Sequence, residues 1–154
     1  MSSTRSRLFT WKRFVYGCII LFVVSGFLIV YKAIILWRSL PEAYAAWTTG
    51  NLMVEYLKTH TNEWPRGWDD LRSATNSLSQ RGMPVYTPLD QLQTVVKIDW
   101  RIDPAELQQL ADNNPTATVK VVTRPDGSRI RAQWGADTEP NAKIMRYLRS
   151  QSKR

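Results

Sequence analysis

The side chains that could do chemistry in this 154-residue chain are few and scattered. Its single histidine, His60, stands three residues before Glu63 and ahead of Asp69-Asp70, and an imidazole among carboxylates is a set that can hold a divalent cation. The spacing is irregular, however. His60 falls at a helix end, and Asp69 and Asp70 fall where the next helix begins, a place where the helix dipole already favours acids. Asp99, Asp103 and Glu106 offer pairs of the kind used in acid–base hydrolysis. Asp103 and Glu106 are also the two positions of a capping box, and that structural role accounts for them. The lone cysteine, Cys18, excludes an internal disulfide and a Cys-rich zinc site. It lies in an apolar run and reads as a small apolar residue, with palmitoylation as the alternative. The sequence contains no GxSxG, HExxH, P-loop, GxGxxG or EF-hand pattern. No catalytic, cofactor-binding or metal-binding residue is therefore assigned, no cofactor is expected, and the reading leans away from an enzyme.

The stretch Trp64-Pro65-Arg66-Gly67-Trp68 is the most unusual surface-prone segment. Two indoles and a guanidinium in five residues could form a platform for a glycan or a peptide. They could equally seal a helix–loop junction, since Trp buries a large area and Arg stacks on it, and that is the preferred reading. With Leu52 and Tyr56, the residues Trp64, Arg66 and Trp68 are the candidate partner contacts.

These residues must be positioned by the elements around them, and the charge distribution locates those elements. Lys plus Arg is 21 against 13 acids, a net charge of +8. Residues 1–40 hold six bases and no acid, and residues 143–154 hold five bases and no acid. The stretch 41–142 thus has 10 bases and 13 acids. The basic character belongs to the two ends, and no nucleic-acid-binding motif accompanies it, so no nucleic acid is expected as a partner. The basic tail from Lys143 reads as a solvated helix end rather than a headgroup-binding patch.

From Phe14 to Tyr31 the chain runs 18 residues without a charge, Asn, Gln, His or Pro. Lys32 interrupts, and apolar residues continue to Trp37. A helix from Phe14 to Trp37 is about 36 Å long, enough to cross a hydrocarbon core of about 30 Å with modest tilt. Lys32 can snorkel to the headgroups. Trp11, Tyr16, Tyr31 and Trp37 flank the run as interfacial aromatics do. The competing reading, a buried core helix, requires a domain of this size to cover the run on all sides. Arg5, Arg7, Lys12 and Arg13 precede the span, while Arg38, Glu42 and Glu55 follow it, so the positive-inside rule puts the N-terminus in the cytoplasm. The run exceeds a signal peptide's apolar region, which favours an uncleaved signal-anchor over cleavage near Ala43-Tyr44-Ala45. The expected organisation is a basic cytoplasmic segment 1–13, a transmembrane helix 14–37 and an extracytoplasmic domain 38–154.

For that outer domain the patterns predict an α+β fold: a small, mainly antiparallel sheet with helices packed on one face. A helix capped by Ser39, with a bend at Pro41, runs to about Lys58. It buries a stripe of Ala43, Ala46, Trp47, Gly50, Val54 and Leu57, leaving Leu52 and Tyr56 on the opposite face. A short helix covers 68–75, and residues 79–91 form a loop. A strand covers 93–102, alternating Val96, Ile98, Trp100 and Ile102 against Val95, Lys97, Asp99 and Arg101. Asp103 caps a helix that ends near Asn113. A hairpin spans 117–134, with Thr123 opposite Ser128, Val121 facing Ile130, Val119 facing Ala132 and Ala117 facing Trp134. Its four-residue loop is Arg124 to Gly127, with Gly127 left-handed. A last helix starts at Thr138-Glu139-Pro140 and places Ile144, Tyr147 and Leu148 on one stripe.

An apolar helix running almost directly into an amphipathic one, followed by a small sheet, resembles the layout of type IV pilins and type II secretion pseudopilins. The similarity is one of topology. Those families carry a Gly-Phe cleavage junction just before the apolar helix and a Glu five residues into it. Here the only Gly-Phe is Gly26-Phe27, in mid-span, and Tyr31 stands where the Glu belongs. The leading expectation is a single-pass protein held in the lipid bilayer by its apolar helix, whose non-catalytic outer domain binds other envelope or membrane proteins. A pilin-like subunit, a membrane-tethered enzyme and a glycan-binding module are the alternatives.

Overall fold

In the computed structural model, which describes residues 4–61, 63–114, 117–130 and 138–152, with side chains from residue 14 onward, the chain divides at Ser39–Leu40 into two units. Helix α1 (Thr4–Thr59) begins in the first and ends in the second. Every side chain from Phe14 to Arg38 is exposed, Phe22 to 82% and Trp37 to 77%. From Phe14 to Arg38 the first unit is thus an apolar helix whose side chains the described residues do not cover. Among the described residues it is the one helix long and apolar enough to cross a membrane.

The expected fresh start at Ser39 is absent. The helix continues through Pro41, and the Ser39 hydroxyl donates back to the Leu36 carbonyl at 2.8 Å instead of capping. An interior proline removes one N–H and crowds the carbonyl four residues back, a cost that packing of the flanking turns can offset without ending the helix.

The second unit is built around the C-terminal part of α1. The predicted stripe is too narrow. Ala43, Ala46, Gly50 and Leu57 are buried as expected, but so are Ala45, Thr48, Thr49, Met53 and Glu55. Leu52 (0% exposed) and Tyr56 (7%), expected on an open face, lie in the core as well. A helix with apolar residues on every side is surrounded, and burial of each leucine contributes about 1.5–3 kcal/mol. The helix closes at Thr61, whose φ of 52° is costly for a β-branched residue.

Helix α2 (Asp70–Gln80) starts later and runs longer than the predicted 68–75, burying Leu71, Ala74 and Leu78. Gly82 at φ 70° ends it in a Schellman closure, with Gly82 N–H to Ser79 O at 3.1 Å and Met83 N–H to Leu78 O at 3.0 Å. Residues 89–95, read as loop and strand, form helix α3 (Leu89–Val95), with Leu92 fully buried. Leu92 supplies the buried anchor of this helix with the half-buried Leu89 one turn earlier, and the chain turns extended at Val96. The predicted strand shrinks to β1 (Lys97–Ile98), although the alternation holds, with Val96 and Ile98 buried and Lys97, Asp99 and Arg101 exposed.

Helix α4 (Pro104–Asn113) has its cap where the sequence places it, the Asp103 carboxylate accepting from Ala105 N–H at 2.8 Å. The expected turn is present, with Gly127 at φ 78° and its N–H on Arg124 O at 2.9 Å. Its closing bond joins Arg124 N–H to Ser128 O, so the loop has three residues rather than four. With Arg124 opposite Ser128, the predicted pairings of Thr123 with Ser128 and of Val121 with Ile130 do not hold, although Val121 and Ile130 are both buried; Ala132 and Trp134 lie outside the described residues. Strand β2 (Val122–Thr123) pairs antiparallel with β1, Lys97 opposite Thr123 and Ile98 opposite Val122. Helix α5 (Pro140–Gln151) buries Ile144, Met145 and Leu148 and packs on α4. Two strands of two residues do not make a layer. The predicted α+β sheet with helices on one face gives way to a mostly helical fold with a small two-strand antiparallel ladder.

Candidate functional site

The turn after α1 and the start of α2 bring several of the sequence-selected residues to one place. Tyr56, Glu63, Trp64, Arg66, Asp70 and Pro104 line a cleft of about 360 Å³. Trp64 is 9% exposed, and its indole N–H donates to the Asp99 carbonyl at 3.1 Å, which ties the turn to the end of β1. The Arg66 backbone N–H donates to the Asp70 carboxylate at 2.7 Å, fixing the turn against the first residue of α2. Arg66 and Glu63 stand exposed at the cleft. Trp68 does not line it. It meets Trp100 edge-on, ring centroids 5.4 Å apart. The junction-sealing reading of the two tryptophans thus has direct contacts behind it.

Tyr56 forms one wall. Burial raises its phenol pKa above the ordinary value of 10.0, and the charges of Asp70 and Glu63 push the same way, against the smaller opposing effect of Arg66. Its hydroxyl therefore remains a neutral donor at physiological pH. The cleft sets the exposed Arg66 guanidinium and Glu63 carboxylate, with the half-buried Asp70, beside the edges of two largely buried rings, a set suited to charge pairing with a polar ligand.

Of His60, Glu63, Asp69 and Asp70, weighed as a cation set in the sequence and read instead as surface polar groups, His60, Asp69 and Asp70 have separate partners. His60 stacks on Tyr56, centroids 4.0 Å apart, with Nδ1 2.9 Å from Thr59 Oγ1. Asp69 pairs with Arg72 at 3.1 Å. Asp99 accepts the Arg101 N–H at 3.0 Å and Asp103 caps α4, so both carboxylates serve local backbone. Glu106 makes no return bond to complete the capping box. Among the described residues, no three His, Cys, Asp or Glu side chains are grouped to hold a metal ion. Leu52 belongs wholly to the core.

Sequence reading missed two buried polar clusters. Glu55, 2% exposed, accepts from Ser77 Oγ at 2.6 Å and from the Arg81 guanidinium at 3.1 Å. Its position among Leu52, Met53, Tyr56 and Leu57 was the available signal. The second is Glu139, which caps α5 by accepting the Ala142 N–H, accepts from Asn141 Nδ2 at 2.9 Å and faces Arg129 at 3.8 Å. Glu42 and Arg124 form a two-pronged pair, both bonds 2.7 Å, and that carboxylate raises the guanidinium pKa further. Comparison with protein-family models, with curated proteins and with solved structures found no match.

Proposed function

We propose that this chain is a single-pass membrane-anchored protein of the cell envelope, with residues 1–13 in the cytoplasm, 14–37 in the bilayer and 38–154 outside. One observation carries the reading: every side chain of the apolar helix from Phe14 to Trp37 is left uncovered by the chain. An uncovered apolar surface of that length is stable in lipid and unstable in water. The base-rich, acid-free residues 1–13 support the orientation.

The outer domain acts through contact, as an interaction or assembly component, and its partners are other membrane or envelope proteins. The cleft of Tyr56, Glu63, Trp64, Arg66 and Asp70 supports this, because its groups suit recognition of a polar segment. Cross-linking in native membranes, with the cross-linker placed at Arg66, tests it. A discrete cross-linked partner that disappears when Trp64 is changed to Ala in a folded variant is the expected result. Loss of cross-linking specificity, with the same products from an unrelated exposed position such as Gln109, contradicts it.

A further inference from the structure

The described residues of the second unit leave three large apolar side chains exposed, and two of them share one loop: Met83 at 41% and Tyr86 at 53%. Pro84 between them is exposed as well. The loop is not slack. The Schellman closure at Gly82 fixes its start, and Tyr86 fixes its end by packing on α1, its ring 5.0 Å from that of Tyr44 and 5.0 Å from that of Trp47. Tyr44 and Trp47 are themselves only half-buried. Loop and helix thus form one aromatic surface with an apolar tip.

Chain length places that surface near the lipid. Tyr44 follows Trp37, the last apolar residue of the span, by seven residues. That separation is about 10 Å along a helix and at most about 25 Å along extended chain. Tyr and Trp are the side chains favoured at the headgroup level, where an apolar ring and a polar edge are both satisfied, and Met adapts to irregular apolar surroundings.

We propose that the Met83–Tyr86 loop, backed by Tyr44 and Trp47, is a second membrane contact that rests in the phospholipid interfacial layer beside the exit of the anchor. The proposal builds on the membrane-anchor reading above. It explains why a domain that covers nearly all its apolar residues leaves these two open on the same loop.

The test uses the full chain in phospholipid vesicles, with Cys18→Ser as background and an environment-sensitive fluorophore on Tyr86→Cys, on Met83→Cys or on Leu110→Cys. Met83, 41% exposed and outside the ring contacts that Tyr86 makes, serves as the second position. Flotation of the same samples reports the anchor. The expected result is blue-shifted emission at positions 83 and 86, quenched by lipids with a nitroxide near the headgroup, and water-like emission at position 110. Water-like emission at both 83 and 86 from protein that still floats overturns the loop contact alone and leaves that surface to a protein partner. Protein that fails to float overturns the loop contact together with the anchor.

Discussion

Asn141 binds Val122 by both of its backbone polar atoms. Its amide oxygen accepts the Val122 N–H at 2.8 Å, and its Nδ2 donates to the Val122 carbonyl at 2.9 Å. A side chain from the first turn of α5 thus does what a neighbouring strand would do for β2. It explains how a ladder of two short strands survives inside a helical domain, since buried backbone groups need partners from somewhere.

Asn141→Ala should therefore cost about 2–4 kcal/mol, because it strands a buried N–H and a buried carbonyl together. Asn141→Asp should fare little better, since it loses the donor and sets a second carboxylate beside Glu139. Thermal unfolding of the full chain in nanodiscs, followed by near-UV circular dichroism, checks both. An Asn141→Ala variant as stable as the parent contradicts this account of the ladder.

Gly50 is where α1 meets the start of α5. A Cβ there would lie 3.1 Å from the Pro140 Cα and 3.4 Å from the Lys143 Cδ. Ala is the better helix former by about 1 kcal/mol, but the nearest obstacle is backbone and cannot swing aside. Gly50→Ala should destabilise by about 1–2 kcal/mol net. Gly67→Ala meets nothing within 4 Å and should stay within about 0.5 kcal/mol of the parent. The pair, measured side by side, separates steric crowding from a general effect of adding methyl groups.

Much that was legible in the sequence is local chemistry. Asp103 before Pro104, Pro140 opening α5 and Gly127 in its turn each act within a few residues, and each stands where it was read. The Val96–Ile102 alternation was legible for the same reason. What was hidden depends on partners far along the chain. Leu52 and Tyr56 look exposed on a helical wheel until apolar residues of α2, α4 and α5 join them in one buried cluster. Gln93–Val95 look like strand until Leu92 is seen to bury on a short helix that ends at Val95. Asn141 gives no sign, in its own neighbourhood, of acting as a strand edge for Val122. The candidate cleft was half legible: Trp64, Arg66 and Tyr56 were singled out as partner contacts, but Glu63 and Asp70 were read as surface polar groups near helix ends.

Trp64 ties the cleft to the ladder through a single hydrogen bond to Asp99 O. Trp64→Phe keeps the ring burial and loses that bond, so it should cost about 1 kcal/mol. Trp64→Ala removes the ring itself and should cost about 3–5 kcal/mol. Equal effects from the two variants in the same unfolding assay contradict the contribution assigned to packing.

The Tyr56 phenol favours its neutral form in the folded state, with a pKa raised above 10.0 by burial first and then by Asp70 and Glu63. Its contribution to stability is then fully present below the unfolded value and is lost as pH rises through the folded one. Phenolate absorbance at 295 nm should contain a step above the ordinary range that Tyr56→Phe abolishes. Asp70→Asn should move it down. An unchanged titration in Tyr56→Phe contradicts the assignment.

The anchor itself is tested most directly by fractionating cells that make the full-length chain, washing the membranes with alkaline carbonate, and treating intact spheroplasts with protease. The chain should stay with the membranes until detergent is added, and the protease should remove residues beyond 38 while an N-terminal tag survives. Recovery of the intact chain in the aqueous fraction without detergent, or protection of the C-terminal domain with loss of the N-terminal tag, contradicts the account.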